Sequence, residues 1–167
     1  MSELALRTYM QTQLTTNEVL PTGTGRFKTF TAHRQMLKRE VLGGHVVLQI
    51  GRMHSHEVRE AGARGIGKKR LDWTIDLLVV ANGNDADKDA DDFAVLVDNT
   101  KKVFRQATLT PLPATLTDPQ TSETSTLTHI GETIDAETLD PDMTAKQGRI
   151  LFRARITLTA KEIITQY

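Results

Sequence analysis

The spacing of apolar residues changes period several times along the chain, and each change predicts an element. Leu6, Tyr9, Met10 and Leu14 fall on one face of a helix that Ser2 caps and that Thr15-Thr16-Asn17, followed by Pro21 and Gly23, brings to an end. A helix this short is marginal alone and must pack on something. Residues 26–42, with Phe27, Phe30 and a basic run over 33–39, fit either an extended arm or a short helix. Gly43 and Gly44 then break the chain before residues 45–50, His-Val-Val-Leu-Gln-Ile, which read as a strand. Residues 51–70 show no sustained apolar period and carry four glycines, so they read as a long loop between strands.

The period of two returns over residues 71–80, where Trp73, Ile75, Leu77 and Val79 share one face and Thr74 and Asp76 the other. A polar turn leads into a helix with Phe93, Leu96, Val97, Val103 and Phe104 on one side. Asp87, Asp89, Asp91 and Asp92 crowd its start and Lys101, Lys102 and Arg105 its end, the polarity that complements a helix dipole. Residues 107–125, rich in Pro, Thr and Ser, read as an extended or mobile connection, residues 127–134 as a strand, and 135–148 as a second, acidic loop. In the closing strand, 149–159, Ile150, Phe152, Ala154, Ile156 and Leu158 alternate with Leu151, Arg153, Arg155, Thr157 and Thr159. This order predicts one α+β domain over residues 1–167, with a mainly antiparallel sheet of four to five strands packed against two helices, long inter-strand loops and no internal repeat.

Composition narrows the function classes. Lys+Arg and Asp+Glu are 21 each, so the formal charge is zero, unlike a chain built mainly to coat nucleic acid. Neutrality also leaves little self-repulsion against packing many copies together. Hydrophobic residues make up 38%, a modest share that fits surfaces completed by neighbouring subunits. The absence of cysteine excludes thiolate metal sites and thiol nucleophiles. The opening MSELALRTYM lacks a basic n-region and a long apolar run, so neither a secretory signal nor a membrane span is expected, and the chain reads as soluble.

Each candidate site has a plainer competitor. Residues 62–68 match GxxxxGK, but Lys69 stands where Ser or Thr should hold magnesium, and a strand follows where a helix N-terminus should cradle phosphate. Asp85, Asp87 and Asp89 have the spacing of a calcium loop, but Ala90 and Leu96 occupy the positions that need Gly and a bidentate Glu, so a carboxylate-rich helix start is the better reading. His54 and His56 would share a strand face beside Glu57 and could chelate a metal, with His33, His45 and His129 scattered elsewhere; ordinary exposed or interface histidines are the default. There is no Gly-x-Ser-x-Gly elbow and no convergent set of carboxylates. The expectation is no catalytic residue, no metal site and no cofactor. What stands out is the basic stretch Arg52, His54, His56, Arg59, Arg64, Lys68, Lys69 and Arg70, opposed only by Glu57 and Glu60. It could meet phosphates, an acidic protein surface or a lumen through which DNA passes, but without interleaved aromatics it has no means of stacking bases.

Taken in order, the amphipathic first helix, the basic arm FKTFTAHRQMLKREVL, the strand HVVLQI, the polar inter-strand segment, LDWTIDLLVV, the helix DDFAVLVDNTKKVF, TLTHIGETID and the closing RILFRARITLTA resemble the tail terminator (tail completion, or minor tail) proteins of long-tailed bacteriophages. The likeness covers residues 3–160 and lies in order, spacing and periodicity rather than in a signature residue. It implies a homo-oligomeric ring, typically a hexamer, that caps the growing tail tube, ends its polymerisation and presents a surface for head–tail joining. The implied partners are the tail-tube protein and a head–tail connector protein, with DNA passing through the lumen and no membrane. The implied location is the tail or neck of the virion, after assembly in the host cytoplasm. On this reading the basic stretch is the partner- or lumen-contacting loop, and the chain is not an enzyme. The alternatives are a head–tail connector or neck protein of the same fold, and a small nucleic-acid-binding α+β module using basic residues 52–70. An enzyme built on His54, His56 and loop carboxylates ranks last.

Overall fold

The chain runs α1 (Glu3–Thr16), β1 (Thr29–His33), β2 (His45–Arg59), β3 (Lys68–Gly83), α2 (Ala86–Arg105), β4 (Ala114–Thr117), β5 (Thr124–Asp142) and β6 (Ile150–Thr165). The structure, a computed structural model, describes residues 3–17, 19, 29–33, 45–59, 68–83, 85–105, 112–142 and 150–165. The strands form one six-stranded sheet in the order β1-β2-β3-β6-β5-β4. β1 pairs parallel to β2, and every other pair is antiparallel. The fold is α+β as expected, with the short strands β1 and β4 added at the two edges.

The two central strands carry the core. Leu71, Trp73, Ile75, Leu77, Val79 and Ala81 of β3 are buried on one face, and Ile150, Phe152, Ala154, Ile156, Leu158 and Ala160 of β6 continue that face. Helix α2 lies over β3, β5 and β6, seating Phe93, Leu96, Val97 and Phe104 on them. The Phe93 and Phe152 rings stack with centroids 5.6 Å apart, an offset arrangement favourable beyond the area it buries. Asp85 caps α2: its Oδ1 accepts from the backbone of Asp87 at 3.0 Å and Lys88 at 3.1 Å, which satisfies two of the free N–H groups of the first turn.

Helix α1 buries Ala5, Leu6, Met10 and Leu14, a single stripe. It touches β1, β2 and also β4 at the opposite edge. Its length of about 21 Å nearly matches the roughly 24 Å between the outer strands of six, so α1 crosses the sheet rather than following a strand. The hydroxyls of Thr8, Thr12 and Thr15 donate back to carbonyls one turn earlier at 2.8–2.9 Å, so these poor helix formers keep their polar groups satisfied. Arg7 ties the helix down by donating to the carbonyls of Ile50 and, at 2.7 Å, Gly51. Those carbonyls sit where β2 slips register against β3, between Ile50 and Met53.

Three expected loops are corrected by the strands. Residues 51–59 and 68–70 extend the β2–β3 hairpin instead of forming a loop over 51–70; residues 60–67 lie outside the described ones. The register slip explains why pattern reading misses this strand. Before it, Val46 and Ile50 face the core; after it, Met53, opposite Ile75, takes that face, so the period of two loses phase. Residues 54–57 are exposed, so no apolar alternation marks them at all.

The expected loop 135–148 is strand as far as Asp142, because β5 runs on past the predicted end at 134. β5 has register shifts between Leu127 and His129, Ile130 and Ile134, and Leu139 and Asp142, which scatter its apolar positions. Gly131 sits at φ +74 in the middle shift, where a Cβ would come within 2.8 Å of the Phe104 carbonyl oxygen. Within 107–125, residues 114–117 form β4, and Asp118 then turns the chain into β5, its Oδ1 accepting from Gln120 N at 2.7 Å and Thr121 N at 3.1 Å. Of the arm 26–42, residues 29–33 are extended as β1, and 26–28 and 34–42 lie outside the described residues.

Candidate functional site

The β2–β3 hairpin is where the sequence places its basic residues, and the pairing divides them between two faces. Beyond the register slip Ser55 lies opposite Trp73 and Glu57 opposite Leu71, so these residues and Lys69 take the helix side of the sheet. His54, opposite Thr74, and His56, opposite Asp72, take the other side with Arg70. Arg52, His54 and His56 are exposed. Arg59 and Lys68 join the site by register alone, and Arg64 lies outside the described residues.

Two of the cations have acidic neighbours. Lys69 Nζ stands 2.9 Å from Glu57 Oε1 on the helix side. On the other side, Arg70 makes a forked contact with the Asp72 carboxylate, Nε to Oδ1 at 2.8 Å and Nη2 to Oδ2 at 3.0 Å. The stretch is therefore a mixed-charge ribbon, with arginine and histidine at the outer strand and neutralised pairs behind it. β6 backs it as far as Lys68, opposite Thr165, so the hairpin arm is a supported three-stranded extension and not a free ribbon.

The other sequence candidates take structural parts. Among the Asp85, Asp87 and Asp89 carboxylates, that of Asp85 caps α2, and that of Asp89, buried, accepts from Asp85 N at 2.9 Å. After residues 62–67, which lie outside the described ones, comes β3, the strand that a phosphate-binding loop cannot use. Among the described residues no three His, Asp or Glu side chains come together to hold a metal ion. No described helix is long and apolar enough to cross a membrane.

Sequence reading missed one buried polar cluster. Glu162 continues the core-facing phase of β6 and is 1% exposed. Its Oε2 accepts from Trp73 Nε1 at 2.8 Å and its Oε1 from the Ser125 hydroxyl. With both oxygens engaged by core residues and no opening to solvent, the carboxyl group works as a cross-strand tie. The available signal was a carboxylate in the register of Ile150 to Ala160. No protein-family model matches the chain, and no curated protein is significantly similar to it.

Proposed function

We propose that this chain is a structural virion-assembly protein that caps a bacteriophage tail tube, ends its polymerisation and contributes to the head–tail joint as a ring, typically of six copies, without bond-making chemistry. The observation that carries the reading is the outer stretch of β2, residues 52–59. It is a strand rather than a loop, among the described residues no strand pairs with its outer side, and His54, Ser55, His56 and Glu57 are all exposed. A strand edge held out in this way offers backbone donors and acceptors to another polypeptide, and its side chains set the choice of partner. The order of elements, which resembles tail terminators, supplies the partners of the assembled ring: the tail-tube protein on one side and a head–tail connector protein on the other.

The nucleic-acid reading is weaker. Lys69 and Arg70 already have acidic neighbours within 3.0 Å, which leaves little unopposed charge for a phosphate backbone. DNA passing through a lumen remains compatible with the exposed Arg52.

Cosedimentation with preformed tubes of the phage's own tail-tube protein tests the proposal. Binding should saturate at an amount set by the number of tube ends, and should rise when the same mass of tube is sheared into shorter pieces. Binding proportional to tube mass, or none at all, contradicts it.

A further inference from the structure

Among the described residues the two edges of the sheet are each only half covered, at opposite ends. β1 pairs with residues 45–49 of β2, and Arg7 takes the carbonyls of Ile50 and Gly51. Among the described residues no strand pairs with the outer side of 52–59. At the other edge β4 pairs with residues 124–127 of β5, and no described strand lies outside 128–142. Registers through the central strands place these stretches diagonally. Met53 to Arg59 stand level with Leu158 to Ile164 of β6, and Ile134 to Asp142 with Leu158 to Leu151. Among the described residues one edge is thus open at the hairpin end of the sheet and the other at the far end.

The open stretches share a second property. His54 to Glu57 are exposed without interruption, and so are Asp135 to Thr138, so neither stretch is covered on either face. Their charges are opposite. Residues 52–59 hold two arginines and two histidines against Glu57, whereas 134–142 hold Asp135, Glu137, Asp140 and Asp142 and no basic residue. Glu137 stands opposite Arg155 of β6, so the acidic excess at that edge rests on Asp135, Asp140 and Asp142, and the net neutrality of the chain conceals a separation of charge from edge to edge.

We infer that copies of this chain join head to tail through these edges, residues 52–59 of one copy adding antiparallel to residues 134–142 of the next. The directions agree. β2 runs parallel to β6 and β5 antiparallel to it, so a neighbour in the same orientation presents its β5 antiparallel to β2. β1 and β4 act as stops that stagger the neighbours along the strand direction, and the eight residues 52–59 span roughly 27 Å, room for a full ladder. Pairing β5 with its own copy would set acidic residues opposite one another, which disfavours the two-fold alternative. A contact between unlike edges generates a ring when its rotation closes. The inference deepens the assembly reading above and rests on it for its purpose.

Sedimentation velocity over a range of concentrations tests it, using the whole chain and two reversed sets, Arg52→Glu with Arg59→Glu, and Asp135→Lys with Glu137→Lys and Asp140→Lys. The unsubstituted chain should associate at low salt and dissociate as salt is raised past the range where such charges are screened. Each set alone should weaken association at least tenfold with an unchanged far-ultraviolet dichroism spectrum. Both sets combined in one chain, or the two variants mixed in equal amounts, should restore it. An oligomer indifferent to either set, or one lost and not restored by the combination, overturns the edge pairing and leaves the assembly reading standing. A chain that stays monomeric at every concentration overturns both.

Discussion

The indole Nε1 of Trp73 donates to Glu162 Oε2 at 2.8 Å, joining the two central strands at a buried point. Trp73 lies opposite Ala160, so Glu162 is its diagonal neighbour on β6, within reach of a large ring. Ser125 of β5 supplies the second donor, so one carboxyl group links three adjacent strands. Trp73→Phe keeps most of the packing but removes a donor from a buried acceptor, and should cost about 1–3 kcal/mol. Glu162→Ala orphans two donors and leaves a cavity, and should cost more. Urea unfolding followed by far-ultraviolet dichroism checks both; two unchanged midpoints would mean that the cluster is solvated.

Phe152→Ala removes the ring stacked on Phe93 at the centre of the helix–sheet contact and should destabilise by about 3–5 kcal/mol. Gly83 nearby has no room for a side chain: a Cβ would lie 2.6 Å from both Asp89 Oδ2 and Phe152 Cε2. Gly83→Ala should therefore cost about 1–3 kcal/mol through overpacking. Thermal unfolding reads both, and a Gly83→Ala variant as stable as the parent would contradict the packing of α2 on β6.

Arg7 and Glu3 form an ion pair, yet the two residues should differ sharply. Arg7 has 13% side-chain exposure and satisfies two carbonyls at the register slip of β2, whereas Glu3 is 45% exposed. Arg7→Met should cost about 1–3 kcal/mol, by leaving part-buried carbonyls without donors. Glu3→Gln should stay within about 0.5 kcal/mol, as exposed pairs do. Equal effects in chemical denaturation would place the stabilisation in the ion pair instead of the bulge.

Glu132 offers a pH readout. The hydrogen bond from the Lys161 ammonium, at 2.6 Å, holds its carboxyl below the usual glutamate range. A carboxylate whose pKa is lowered by folding favours the folded state above the unfolded pKa, and that contribution fades as pH falls through the folded value. A side-chain carbon titration by NMR should give a midpoint below that of an unperturbed glutamate, and Lys161→Met should move it upward. A midpoint unmoved by the substitution would contradict the pairing.

Legibility in the sequence followed regularity. α2 could be read because carboxylates crowd its start, basic residues crowd its end and its apolar residues keep helical spacing; β3 and β6 could be read because their alternation is unbroken. β2 and β5 were cut short because each shifts register and then runs on with both faces exposed, so no apolar period survives. Such stretches are held by backbone pairing, which leaves no mark in side-chain pattern. The basic residues at 52–70 were visible as a cluster, but their division between two faces depends on the slip between Ile50 and Met53. The acidic character of 135–148 is also visible, as loop composition; that 135–142 form a strand depends on the register of β5 on β6.

Tube length tests the central claim most directly. Tail-tube protein left to polymerise with increasing amounts of this chain, and imaged by negative-stain electron microscopy, should give tubes that shorten as the ratio rises, each with added density at an end. Arg52→Glu with Arg59→Glu should weaken that effect. Tubes of unchanged length with bare ends, at any ratio, would contradict the proposed role.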